Sequence, residues 1–449
     1  VWLCTRRYER IAKALIATFL AGHIPAAQND TPNAIIRARQ LVEQGQFDQA
    51  SAILLRILRA DPYSSEAQYD LGVIAARQNR PADALTRFET VLRRNPDNIP
   101  ALSGALDAQL QLKQHAAARS TARRLAALIR PSDPLYYQIA GLLATNGEYM
   151  AAIPMLEKVH ELSPANYEVT YNLGLAYFRA GRLDSALHVI TPFATNAEAA
   201  DLRGAIEQKR DNAPEALKAY RLAVDLEPSN EGYRADLGAV LLECGKTGDA
   251  IKLFRDGLKL NPESWRMRLG LGSALYIAGQ YEDSAAALLE AAQRRPGASI
   301  LYVLLAKAYD SAPALQAQIA ATIESHVREE DNDASLHLSY GNLLYSRRDF
   351  VAARLAYQKA LKLDPTNAEA HLQLGMTLQA EGDPSRALSE FERAVQANPR
   401  LASAHYRLGL AYQKLGRTRK AQVEMAAFRE LKARGADDAN DIVKSLRAH

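Results

Sequence analysis

Between Glu369 and Ala397 the apolar positions fall into two helical stripes separated by a break. Leu374 and Leu378 stand four residues apart, on one face of a helix predicted over 369–381. Gly382-Asp383-Pro384 interrupts the pattern, and Pro384 is placed to open a second helix, where its missing N–H costs nothing. Ala387, Phe391 and Ala394 then form the second stripe, and Asn398-Pro399 closes it, because proline disfavours helix in the residue before it. Gly375 and Ala387 are read as the point where the two helices cross, and Phe391 as the side chain that fills the gap to the next pair.

The same pattern recurs along the chain. Prolines mark the period at Pro62, Pro96, Pro131, Pro164, Pro228, Pro262, Pro296, Pro365 and Pro399, mostly 33 to 35 residues apart. Two wider gaps each hold two units with the middle proline missing. Small residues keep the same rhythm at Gly72, Ala140, Gly174, Gly204, Gly238, Gly272, Ala306, Gly341, Gly375 and Gly409. A second small residue follows most of them by twelve positions, as at Ala84, Ala250 and Ala421. One helix pair cannot bury its apolar face alone, so the units must stack.

The strings Tyr171…Leu173-Gly174…Tyr177…Gly181…Ala186 and Tyr406…Leu408-Gly409…Tyr412…Gly416…Ala421 resemble the tetratricopeptide repeat. The resemblance covers residues 31–435, about twelve units. It implies an all-α fold, a right-handed superhelical solenoid of antiparallel helix pairs.

Three units depart from the pattern. The unit at 99–132 has Leu106 where the small residue belongs, although Ala118 keeps its place. The unit at 167–196 is about four residues short, with Pro192 expected inside its second helix. The unit at 299–333 loses the glycine and aromatic of its turn, which makes it a degenerate repeat and a candidate seam. The expected division is therefore an array of about eight repeats over 28–298, the irregular unit at 299–333, three repeats over 334–435 and a capping helix over 436–449.

Residues 1–27 read differently. Arg6, Arg7, Arg10 and Lys13 precede the apolar run Ala14–Ala21, and small residues follow at Ala26 and Ala27. That order predicts an export signal cleaved near Ala27, hence a periplasmic or envelope location with no lasting membrane span. The alternatives are a membrane anchor and an amphipathic first helix. The segment carries a net +3 of the chain's +4, which leaves a nearly neutral body and argues against a nucleic-acid partner. Cys4 and Cys244 cannot build a disulfide framework.

Catalytic and cofactor motifs are lacking: no His-Glu-x-x-His, Gly-x-Ser-x-Gly, Walker-type loop or Cys-x-x-Cys occurs, so neither an enzyme nor a cofactor is expected. His337, His371 and His405 recur one unit apart. Helices about 8–10 Å apart would struggle to converge three rings on one metal, so a packing role is expected and no metal site.

The resemblance places certain first-helix positions on a concave groove that holds partners. At those positions stand Tyr69, Tyr137, Tyr171, Phe178, Tyr276, Tyr345 and Tyr406, whose rings offer contact area at little cost in rotamer freedom. The other reading is that they pack between units. The carboxylate clamp of chaperone-binding members does not match, with Tyr137, Gly141, Glu198 and Leu202 around Asn172. The asparagine ladder of sugar-transferase solenoids fails too: Asp70, Asn172, Asp236, Gln373 and Arg407 fill its slots. The expected function is a non-catalytic scaffold binding a protein or peptide. The alternative is an accessory part of an envelope polysaccharide-export or pilus-assembly system.

Overall fold

A computed structural model describes residues 30–433. The expected export signal at 1–27 and capping helix at 436–449 lie outside the described residues. The described chain is a train of helix pairs, and it divides into two compact units between Ala194 and Thr195.

In the first unit the pairs are α1 (Asp30–Glu43) with α2 (Phe47–Ala60), α3 (Ser65–Arg77) with α4 (Pro81–Arg94), and α5 (Ile99–Gln111) with α6 (His115–Leu128). Then follow α7 (Pro134–Thr145) with α8 (Tyr149–Leu162), and α9 (Tyr167–Arg179) with the short α10 (Leu183–Ile190). In the second unit α11 (Ala197–Lys209) pairs with α12 (Ala213–Leu226), α13 (Glu231–Glu243) with α14 (Thr247–Leu260), and α15 (Trp265–Ile277) with α16 (Tyr281–Arg294). The train ends with α17 (Ser299–Ala308) and α18 (Gln316–Glu329), α19 (Ala334–Ser346) and α20 (Phe350–Leu363), α21 (Ala368–Ala380) and α22 (Pro384–Ala397), and α23 (Ala402–Lys414) and α24 (Thr418–Ala433). Each unit is thus a stack of antiparallel helix pairs, the all-α repeat architecture that the resemblance implied.

Most first helices start on the same device. Two residues after the repeat's proline stands a Ser, Asn or Asp, as at Ser64, Asn98, Asp133, Asn166, Asn230, Ser264 and Asn367. Its side-chain oxygen accepts a backbone N–H of the first turn, which satisfies one of the donors a helix start leaves open. In every repeat but that at 299–333 the turn inside the pair places one residue in the left-handed region. Gly181 and Gly382 adopt it freely, whereas Lys113 and Arg348 do so with a side chain attached. The unit at 299–333 has no such residue; two 3-10 turns, Tyr309–Ser311 and Pro313–Leu315, connect its helices instead.

The small position of a unit faces a large side chain of the second helix, a ring at Gly72, Gly204, Gly238, Gly341 and Gly375 but Leu288 at Gly272 and Met425 at Gly409. A Cβ on Gly238 would stand 2.2 Å from Cζ of Phe254, and one on Gly375 would meet Phe391 at 2.6 Å. The same Phe254 ring would also meet a Cβ on Gly270 of the following pair, at 2.3 Å. One ring therefore sits across the junction of two pairs, pressed between glycines of both. This explains Leu106 as well. Its unit carries Ala122 where the others place the large side chain, so bulk is exchanged between the two helices and both residues remain buried.

Pro192 does not lie inside a second helix. α10 stops at Ile190 and Pro192 sits in a 3-10 turn, Thr191–Phe193, because it has no N–H to continue the ladder.

Candidate partner-binding face

Within each unit the first helices of successive pairs touch one another. They run α1, α3, α5, α7 in the first unit and α13, α15, α17, α19, α21 in the second. Each run forms a face separate from the second helices, and the seven aromatic positions singled out in the sequence all belong to first helices.

On the first unit they assemble into a strip. Nδ2 of Asn172 donates to the Tyr137 hydroxyl at 2.5 Å, which ties α9 to α7. One residue away, the Tyr171 ring lies 5.7 Å from Tyr167, which in turn stands edge-on to Phe193 at 5.3 Å. Phe178 is two turns further along α9, with the Arg179 guanidinium 6.0 Å from its ring. All these rings are half-buried. Tyr69 stands apart, against the core ring of Phe88 at 5.7 Å, and burial together with the Asp70 charge pushes its hydroxyl up to about 12.

On the second unit each ring packs on an aromatic of its own pair. Tyr276 packs edge-on to Tyr281 and Tyr345 to Phe350, each within its own pair at 5.2 and 5.4 Å. Tyr406 pairs with Phe428 at 5.1 Å and is 38% exposed.

Carboxylates on the first helices add a feature that the sequence reading passed over. Asp70 is buried and accepts Nε of Arg39 at 2.9 Å; burial nevertheless holds it up at about 6. Asp201 of α11 is pushed up to about 8 by burial and then by the charge of Asp236 on α13. The available signal was positional, since Asp201 occupies the register position that Tyr69, Tyr171 and Tyr406 hold in their units, and Asp70 and Asp236 occupy the next one.

The three recurrent histidines are packing devices. Nε2 of His371 donates to the Pro365 carbonyl at 3.1 Å, and Nδ1 lies 2.6 Å from the Glu390 carboxylate. His405 repeats both bonds with Pro399 and Glu424, and His337 bonds the Asp331 carbonyl. Other units make the same bond with different chemistry. Gln68, Thr170, Arg234, Arg268 and Tyr302 each donate to the carbonyl of a proline six residues earlier. In these units that slot fastens the first helix to the turn before it.

No helix among the described residues is long and apolar enough to cross a membrane. Three family models match the chain. Two are described as tetratricopeptide repeat and one as TPR repeat, and between them they take in residues 37–206, 235–299 and 341–439. Among curated proteins, the chain is 27% identical over 211 residues to the Bos taurus "BBSome complex member BBS4", covering 46% of this chain and 40% of that protein. It is 32% identical over 137 residues to "Cellulose synthase 2 operon protein C" of Komagataeibacter xylinus, covering 30% of this chain and 10% of that protein. The chain thus spans less than half the length of either relative. Among solved structures, yeast Tom70 is 14% identical with a TM-score of 0.45, covering 92% of this chain and 99% of that one.

Proposed function

Because the chain belongs to the tetratricopeptide-repeat proteins, a family of interaction scaffolds, we propose that its first-helix face is a non-catalytic concave groove holding an extended peptide segment of a protein partner. The observation that carries this reading is the strip Tyr137–Asn172–Tyr171–Tyr167–Phe193 on the first unit. Its rings are packed against neighbours yet only half-buried, so part of each reaches solvent and little freedom is left to lose on binding. The nearly neutral charge of the body favours a protein over a nucleic acid. A photo-crosslinking amino acid at Tyr171 should attach a protein partner, and the same group at Arg221, exposed on α12, should not. Equal labelling at both places would sink the assignment.

A second reading rests on the 32% match to the cellulose synthase operon protein. In it, the scaffold is exported by the basic and apolar segment of residues 6–27 and serves an envelope polysaccharide-export or pilus-assembly system. Co-purification with an outer-membrane barrel or secretin, and a mature N-terminus near Gln28, would favour it. Retention of Trp2 in the native protein would count against export.

A further inference from the structure

We propose that the slot between α6 and α8, second helices of neighbouring pairs in the first unit, is a separate docking site for an acidic peptide segment carrying one apolar anchor residue. The slot encloses about 410 Å³, room for a large side chain. Tyr136, Met155 and Ala122 form its buried floor, at 1%, 4% and 3% exposure. Met150 stands at its lip with 67% of its surface in solvent. An unbranched thioether there can adapt to whatever side chain enters.

Two further features describe the occupant. Pro154 lines the slot from inside α8 and has no N–H, so the Met150 carbonyl lacks its helical donor and is left to accept one from a bound chain. The rim is cationic. Arg119 and Arg123 of α6 and Lys158 of α8 line it, and α6 carries no carboxylate at all. Arg119 is answered by Glu148 at 3.1 Å. Arg123 donates only to the Arg119 carbonyl, and neither it nor Lys158 has a carboxylate within ion-pair distance among the described residues. An apolar slot beneath unanswered positive charge is complementary to a leucine, phenylalanine or methionine flanked by aspartate or glutamate.

The test is selection of a random peptide library on the full chain, with the Met150→Glu chain as counter-selection. Recovered peptides should place an apolar residue among acidic ones. The best of them, synthesised with a fluorophore, should lose at least about tenfold in affinity to Met150→Glu and to Arg123→Glu with Lys158→Glu. Tyr171→Ala should leave it unchanged, which separates this site from the first-helix face. All the charge-altered positions are exposed, and thermal unfolding followed by circular dichroism should show each variant as stable as the parent. Neutral or basic peptides, no peptides, or peptides indifferent to Met150→Glu would overturn the proposal. So would self-association that Met150→Glu abolishes, because the slot would then belong to a second copy of the chain.

Discussion

His371 and Glu390 form a buried pair in which Nδ1 of the ring lies 2.6 Å from the carboxylate while Nε2 donates to the Pro365 carbonyl. Arg393 donates to the other Glu390 oxygen at 2.7 Å, so the carboxylate is satisfied from two sides.

His371→Ala is therefore expected to cost about 1–3 kcal/mol, because it leaves the Glu390 oxygen and the Pro365 carbonyl short of a donor. Replacing both members, as His371→Leu with Glu390→Leu, should cost less than the single change, since no buried charge is then stranded. Urea denaturation of the two variants checks the order. If the double variant is the weaker, the pair stabilises the fold outright.

Gly238→Ala should overpack the junction of α13 with α14, where the new Cβ would stand 2.2 Å from the Phe254 ring. A loss of about 1–3 kcal/mol is expected, partly recovered by Phe254→Leu. Since repeats are coupled mainly to their neighbours, hydrogen exchange should speed up over 231–294 and change little over 368–433. Uniform acceleration along the chain would contradict a nearest-neighbour array.

Much of this packing was legible in the sequence because the repeat constrains it. A glycine at a fixed register position, as at Gly375, has to mean close approach, and the histidines at 371 and 405 recur at one register position of the repeat. The partners were harder to read. Gly375 is small chiefly because the Phe391 ring lies over it, with the Ala387 backbone as a lesser neighbour. The bond from that histidine slot to a preceding carbonyl is made by glutamine, threonine, arginine, tyrosine and histidine alike, so no residue type announces it. Pro192 could end a helix or kink one, and the turn that decides the matter depends on neighbours outside its own stretch of sequence. Of the candidate groove rings, the sequence could place each in register but could not say that Asn172 would link Tyr137 to the Tyr171 helix.

Asp201 gives a pH dependence of known sign. Its carboxyl titrates near 3.8 when unperturbed and is raised to about 8 in the folded chain, by burial and then by Asp236. The folded state thus holds the proton more tightly. Its contribution to stability is complete below about pH 4 and is lost as pH rises through 8. Asp201→Asn removes the ionising group, so its melting temperature should exceed the parent's by a margin that widens from pH 5 to pH 9. A constant margin would mean that Asp201 does not titrate in that window.

The central claim is that the half-buried tyrosines of the first unit hold a partner instead of merely packing between repeats. The most direct test is partner binding by Tyr137→Ala with Tyr171→Ala, measured beside its melting temperature, with the exposed Arg221→Ala as control. The account predicts at least a tenfold loss of affinity, about 1.4 kcal/mol, with little change in melting temperature and no effect of the control. A double variant that melts far lower, while whatever stays folded binds the partner as before, would make these rings core packing and contradict the assignment.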